Sequence, residues 1–268
     1  MPPHSARRFY DDLAEDYHLL YADWNAAVER QGAALDRLIG ESLGPGRQRV
    51  WDCACGIGTQ ALGLASRGHR VLGTDLSPAA AARAAREADA RGLTLHTAAG
   101  DMRRPPVAAG AFDVALCADN SLAHLLTPAE LDTALRAMRR SLRPGGLLVI
   151  GLRDYEQVRA DRRPATVPQV THTENGRTIS FQLWHWHPDG ERYDLEHIQL
   201  LPDPAGPSGD NWQIRVRRAT SWALSPNRLS DLVTSAGFQN PTWLSPEQSG
   251  FFQPILTASA PASPPDWR

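Results

Sequence analysis

Four acidic side chains, each placed where an apolar run gives out, mark where this chain can do chemistry. Asp52 closes the run Val50-Trp51 and precedes two glycines, Gly56 and Gly58. Glycines at that spacing let the backbone approach a ligand where a side chain would collide. The N–H groups of a helix opening near Thr59 would point at whatever fills the turn. About twenty residues on, Asp75 ends the run Arg70 to Thr74, where a carboxylate can accept both hydrogen bonds of a ribose diol. Asp101, between Gly100 and Met102, pairs an acid with an apolar side chain that can bracket an adenine. Asp119 and Asn120 follow the run Phe112 to Cys117. Strand, glycine turn, helix, strand and acid in this order make a nucleoside site.

The elements that must hold these groups alternate. Strands over 49–53, 70–74, 93–97, 112–117 and 146–152 are separated by helices over 59–67, 78–91 and 128–142, the pattern of a parallel sheet covered on both faces. Ser77-Pro78 is an N-cap and first-turn pair. Leu142-Arg143-Pro144-Gly145-Gly146 is a turn feeding the last of these strands. Ahead of them, Leu13, Tyr17, Leu20, Tyr21 and Trp24, then Val28, Leu35, Leu38 and Ile39, carry helical spacing. Residues 1–45 are therefore expected as a helical cap, and 46–268 as the catalytic domain. Tyr10, Tyr17, Tyr21 and Trp24 are core aromatics by default, with a lid over the ligand as the alternative. After Arg153 the segments 166–174, 177–187, 192–201 and 211–222 alternate polar and apolar residues. They are broken at Asn175-Gly176, at Asp189-Gly190 and by a Pro/Gly-rich loop at 202–209. That predicts an antiparallel excursion over about 160–222. A helix at 226–236 stopped by Gly237, and strands at 240–244 and 251–258, complete the sheet. The tail from Ala260 reads as loose.

Composition narrows the partners. A net charge of −2 over 268 residues gives no long-range pull toward nucleic acid or an anionic membrane. Every basic residue other than histidine is an arginine. The first twelve residues hold no apolar segment of signal-peptide type, and no apolar run approaches membrane-spanning length. Three cysteines make no disulfide framework; Cys53 and Cys55 suit packing around a tight turn better than a metal or redox pair. The expectation is a cytoplasmic protein acting on a small molecule, without nucleic acid, membrane or metal, with homo-oligomerisation left open.

Gly56-Ile57-Gly58-Thr59-Gln60-Ala61 also fits the dinucleotide pattern G-x-G-x-x-[GA], so NAD is the competing ligand. Three neighbours argue otherwise. Asp52 would repel a pyrophosphate but can orient a cationic amine, Asp101-Met102 suits an adenine, and Asp119-Asn120-Ser121 lies at the ligand-binding edge of the sheet. Taken with Phe112-Asp113 and the Leu142 to Gly146 turn, these residues resemble the ordered motifs of class I S-adenosylmethionine-dependent methyltransferases. The resemblance implies a Rossmann-like seven-stranded sheet, S-adenosylmethionine as cofactor and S-adenosylhomocysteine as product. It places Asp52, Ala54, Gly56 and Gly58 at the methionine end, Asp75 and Leu76 at the ribose, and Asp101 with Met102 at the adenine. Ala118 and Asn120 join this set, and Arg30 would meet the cofactor carboxylate.

A narrower similarity covers most of the chain. Tyr10-Asp11-Asp12-Leu13-Ala14, Trp51 to Gly56, Asp119 to Leu125, Gly145 to Tyr155 and Ser249 to Pro254 are similar to glycine and glycine/sarcosine N-methyltransferases. By that similarity Arg153 grips a substrate carboxylate, for which a guanidinium fork suits better than an ammonium. Asn120, His124 and Tyr21 complete the expected catalytic set. The alternatives are an ion pair of Arg153 with Asp154, helix capping by Asn120, Ser121 and His124, and general-base action by His124. His185 and His187 share one strand face and could share a metal, while Trp184 and Trp186 form a wall on the other. The stretch Pro168 to His172 lacks the tyrosine that the similarity would place against glycine. This keeps open a natural-product N-, O- or C-methyltransferase of the same fold, and, from another class, an NAD enzyme or a non-catalytic nucleotide-binding protein.

Overall fold

The computed structural model describes residues 5–162, 164–173, 176–203 and 211–262. Most of the loop expected at 202–209, the turn at Asn175 and the tail beyond 262 lie outside them. The apolar runs become the centre of a seven-stranded sheet because they are buried on both faces. Its strands are β1 (Arg49–Asp52), β2 (Arg70–Asp75), β3 (Leu95–Ala99), β4 (Phe112–Cys117), β5 (Leu142–Gly151), β10 (Gln239–Leu244) and β11 (Ile255–Ser259). The order across the sheet is β3-β2-β1-β4-β5-β11-β10. β11 alone runs opposite in direction to the other six strands. The chain reverses its winding between β1 and β4, and ligands of open α/β sheets bind beyond the strand C-termini at such a reversal. Asp52, Asp75 and Asp119 all stand at that edge.

Helices α2 (Trp24–Leu43), α3 (Thr59–Ala65) and α4 (Pro78–Ala90) contribute to the core on one side, and α5 (Pro128–Ser141) and α7 (Pro226–Ser235) to the core on the other. Two glycines let α2 and α3 meet backbone to backbone: a Cβ at Gly32 would stand 2.6 Å from the Cα of Gly63. The expected cap therefore divides. α2 belongs to the helical layer, while α1 (Ala6–Leu13) and the turn Tyr17–Leu20 reach the ligand edge.

Asp113 ties strand starts together. It accepts from the backbone and side chain of Arg49 and from Arg143. Although burial alone would raise its pKa, these arginine contacts hold it down at about 2. β5 starts at Leu142 rather than Gly146, because the Arg-Pro-Gly-Gly segment joins the strand through a register shift against β4.

The short α6 (Tyr155–Asp161) leads into the excursion, a separate antiparallel sheet ordered β6 (Gln169–Thr173), β7 (Gly176–Trp186), β8 (Arg192–Pro202), β9 (Trp212–Trp222). Alternate residues of β8 (Tyr193, Leu195, His197 and Gln199) are buried, so one face of this sheet turns inward. The one-turn helix α8 (Pro246–Ser249) links β10 to β11. No helix among the described residues is long and apolar enough to cross a membrane.

Candidate functional site

β1 ends at Asp52, and the next residues fold tightly: the Cys55 amide donates to Thr74 at 3.0 Å and the Gly58 amide to Cys55 at 2.8 Å. Gly58 stands at φ +96° as the N-cap of α3, a left-handed conformation that favours glycine. The Gly56 amide donates to one oxygen of Asp75 and the Ser77 amide to the other, each at 2.8 Å. A carboxylate oxygen accepts more than one bond, so Asp75 is fixed in place and still open to a diol. Burial raises its pKa.

Asp52 is 1% exposed, and its Oδ2 has no hydrogen-bond partner among the described residues. Burial pushes its pKa up to about 7. A buried carboxylate oxygen without a partner is costly unless a donor, best a cation, meets it.

The glycine turn and Asp75 border a cavity of about 260 Å³ at the C-terminal edge of β1, β2 and β4, and Asp52 lies buried behind it. Of the expected cofactor residues, Ala54, Gly56, Asp75, Leu76, Asp101 and Met102 line it. Asp52 and Ala118 are buried at the ends of β1 and β4 without lining it, Gly58 caps α3, and Asn120 opens elsewhere. Asp101 faces the cavity as half of an ion pair, since Arg103 bonds both of its oxygens. Burial would raise the Asp101 pKa, but Arg103 holds it below the usual range.

The expectation for Arg30 is corrected: it is exposed on α2 and lines neither this cavity nor the second one. The inward stripe of α2 runs through Trp24, Ala27, Val28, Gln31 and Leu35, one helical step away. The buried polar residue there is Gln31, whose Oε1 accepts from Gln60, and Gln60 reaches the cavity. Trp24 bonds Thr59 at 2.9 Å and fixes the start of α3, a structural role and not that of a lid.

A second cavity, about 330 Å³, adjoins the first, and Tyr10, Tyr17, Asp119 and His124 line both. Tyr21, Asn120, His124 and Arg153, the expected catalytic set, all open on the second. Asp119 and Asn120 have φ of +51° and +72°, a strained pair following β4. Asn120 Oδ1 accepts from the Arg153 amide at 3.0 Å, and its Nδ2 donates to the Tyr155 hydroxyl at 2.9 Å. Asn120 thus clamps the end of β4 to the end of β5 and aims Arg153. Asp119 accepts from the Tyr21 hydroxyl at 3.3 Å; burial raises its pKa and the Arg153 charge opposes the rise.

Arg153 lies with its guanidinium carbon 4.8 Å from the centroid of Trp184. Among the described residues its side chain has no hydrogen bond or ion pair, and Asp154 instead caps α6. A guanidinium, always charged, is left facing a cavity with its fork open.

His124 bonds the Thr220 carbonyl through Nδ1 at 3.2 Å and the Tyr10 hydroxyl through Nε2 at 2.9 Å. A carbonyl only accepts, so Nδ1 carries the proton, and Nε2 accepts from Tyr10. Burial lowers the His124 pKa, consistent with a neutral ring. Its lone pair is committed, and it meets the cavities through the Tyr10 oxygen.

The tryptophan face of β7 also reaches the site: Trp184 stacks on Tyr193 at 4.9 Å. On the other face His185 pairs with Glu196 and His187 with Asp194. No group of three candidate metal ligands occurs among the described residues, and Cys53, Cys55 and Cys117 are buried free thiols.

Residues 50–146 match the family described as a methyltransferase domain. Residues 50–146 are a class I S-adenosylmethionine-dependent methyltransferase domain. Human glycine N-methyltransferase is 32% identical over 140 residues, covering 45% of this chain and 46% of that protein. The tRNA 5-carboxymethoxyuridine methyltransferase of Escherichia coli K12 is 32% identical over 151 residues, covering 53% and 54%. The chain thus spans about half the length of the curated relatives it matches. The fold also matches the sugar N-methyltransferase KedS8 from a Streptoalloteichus species, with a TM-score of 0.70 at 23% identity over 91% of this chain and 92% of that one.

S-adenosylmethionine is the cofactor of this domain, and NAD is set aside. The residues fit it: Asp52 keeps a buried oxygen for an ammonium, Asp75 has room for a diol, and Leu76, Met102 and Leu125 supply apolar walls for a base. The cofactor supplies an electrophilic methyl group. The chain supplies position and shelter from water, through the wall that the two cavities share.

Proposed function

We propose that this chain methylates the nitrogen of a small carboxylate-bearing amine, with glycine and sarcosine the first acceptors to test. The observation that carries this reading is Arg153: a charged fork, unpaired among the described residues, in a cavity that adjoins the cofactor cavity. A carboxylate is the natural partner of a planar guanidinium. The half-buried Asp119, at the shared wall, suits an approaching amine. The net charge of −2 supports a small acceptor over RNA, and the three free thiols support a cytoplasmic setting.

A second reading, a natural-product acceptor, is favoured by the volume of the second cavity, about 330 Å³, which exceeds what glycine needs. The test is incubation with S-adenosylmethionine and a panel of amino acids, amino sugars, phenols and tRNA, read by mass spectrometry for a gain of one methylene. Methylated carboxylate amines are the expected result. A gain confined to acceptors without a carboxylate, or to tRNA, would overturn the reading.

A further inference from the structure

The second cavity is built for something longer than glycine, a reading that rests on its being the acceptor site. At roughly 30 Å³ per water-sized group, about 330 Å³ holds on the order of ten such groups. Its length follows β8. Tyr193, Leu195 and His197 share the buried face of that strand, and all three line the cavity. Tyr193 stacks on Trp184, which carries the Arg153 guanidinium. His197 lies four residues along the strand, roughly 13 Å away at about 3.3 Å per residue. Arg153 acts electrostatically on Asp119 and His124 of the shared wall. The Arg153 end is therefore the end beside the methyl donor, and His197 lies further along β8.

His197 is 1% exposed, packs edge-on against Phe9, and neither ring nitrogen has a partner among the described residues. Gln253, in the same cavity, also keeps an Oε1 without a partner among the described residues. A buried polar atom left unpaired is costly, so it calls for a partner. Burial, with the Arg217 charge beside it, pushes the His197 pKa down to about 4. The ring is thus a neutral donor on one nitrogen and acceptor on the other. Arg217 itself is engaged by Asp16, Gln199 and the Asp12 carbonyl and is not free to bind a ligand.

We propose that His197 is a specificity-determining residue that hydrogen-bonds a neutral hydroxyl or carboxamide at the far end of an elongated amino acid, whose carboxylate sits at Arg153. Glycine and sarcosine then leave His197 unpaired and are poorer acceptors than amino acids with long polar side chains.

The test compares glutamine, norleucine and glycine as acceptors by initial-rate kinetics and by thermal shift in the presence of S-adenosylhomocysteine. The expected result is a kcat/KM for glutamine at least about tenfold above norleucine and glycine. The advantage over norleucine is expected to vanish in His197→Phe and to survive in part in His197→Asn, a smaller polar variant. Norleucine equal to glutamine with the unaltered protein overturns the proposal and needs no variant. So does an advantage undiminished in both variants. Carboxylate amines that neither bind nor react overturn the acceptor reading itself, and this inference with it.

Discussion

Replacing Arg153 with lysine separates charge from geometry. A carboxylate on a guanidinium fork makes two charge-assisted hydrogen bonds, each worth about 1.5–3 kcal/mol. Lysine keeps the charge but not the paired geometry, and it gives up the stacking that holds the fork 4.8 Å from Trp184, worth about 0.5–1 kcal/mol. One bond and the stacking together come to about 2–4 kcal/mol, or roughly 30- to 1000-fold in kcat/KM. The assay sets the best carboxylate amine against its own carboxamide in wild type and Arg153→Lys. The loss should fall on the carboxylate and largely spare the carboxamide, while affinity for S-adenosylhomocysteine, whose cavity Arg153 does not line, reports that the fold is intact. An equal loss on both acceptors would mean that Arg153 does not read the carboxylate, and the clamp would be refuted.

Three further outcomes follow from the geometry. Asp52, raised to about 7 by burial, is protonated below that pH in the free chain, and an ammonium needs it ionised. S-adenosylhomocysteine affinity is thus expected to weaken as pH falls below about 7, by up to about tenfold per pH unit, and to flatten with pH in Asp52→Asn. Titration calorimetry from pH 5.5 to 8 checks this, and an unchanged pH slope in the variant refutes it. Tyr10→Phe removes the hydroxyl that bonds His124 at 2.9 Å and should lower kcat by about tenfold or more with little change in cofactor affinity; an unaltered kcat would make Tyr10 a mere wall. Gly32→Ala places a Cβ 2.6 Å from Gly63 and should cost about 1–3 kcal/mol, lowering Tm by several degrees. A melting curve that coincides with wild type would show that α2 and α3 can part.

What the sequence made legible was what depends on local pattern. The strands end within a residue or two of their expected places, because burial on both faces writes a continuous apolar run that polar or turn-forming residues close. Asp75, Asp101 and Met102 reach the cofactor cavity for the same reason: position after a strand fixes the sheet edge on which a residue lies. Arg30 failed because its assignment came from family likeness, whereas the phase of α2 is set by the apolar stripe that turns Gln31 inward. The Asp101–Arg103 pair and the Tyr10–His124 bond were not legible. The first depends on a loop conformation, and the second joins residues 114 apart in the chain. His197 and Gln199 are both polar members of the inward-facing alternation on β8, a pattern that does not by itself mark either as a ligand contact.

Tyr10 and Tyr17 belong to the N-terminal segment, so neither cavity is complete until that segment is seated. Its anchors come from α4 with its N-cap and from β9. Ser77 bonds Asp11 at 2.6 Å, and Arg83 of α4 reaches the Ala14 carbonyl at 2.7 Å. From β9, Arg217 donates to the Asp12 carbonyl at 2.8 Å and pairs with Asp16. Ser77 follows directly on the Asp75 strand, on the cofactor side, while Arg217 faces His197 on the acceptor side. The same few residues of the segment therefore answer to both ligands, and a substitution at either set of anchors must disturb both sites. An acceptor pocket built this way inherits its alignment with the methyl donor from the fold, and its selectivity can be retuned along β8 without touching the cofactor turn.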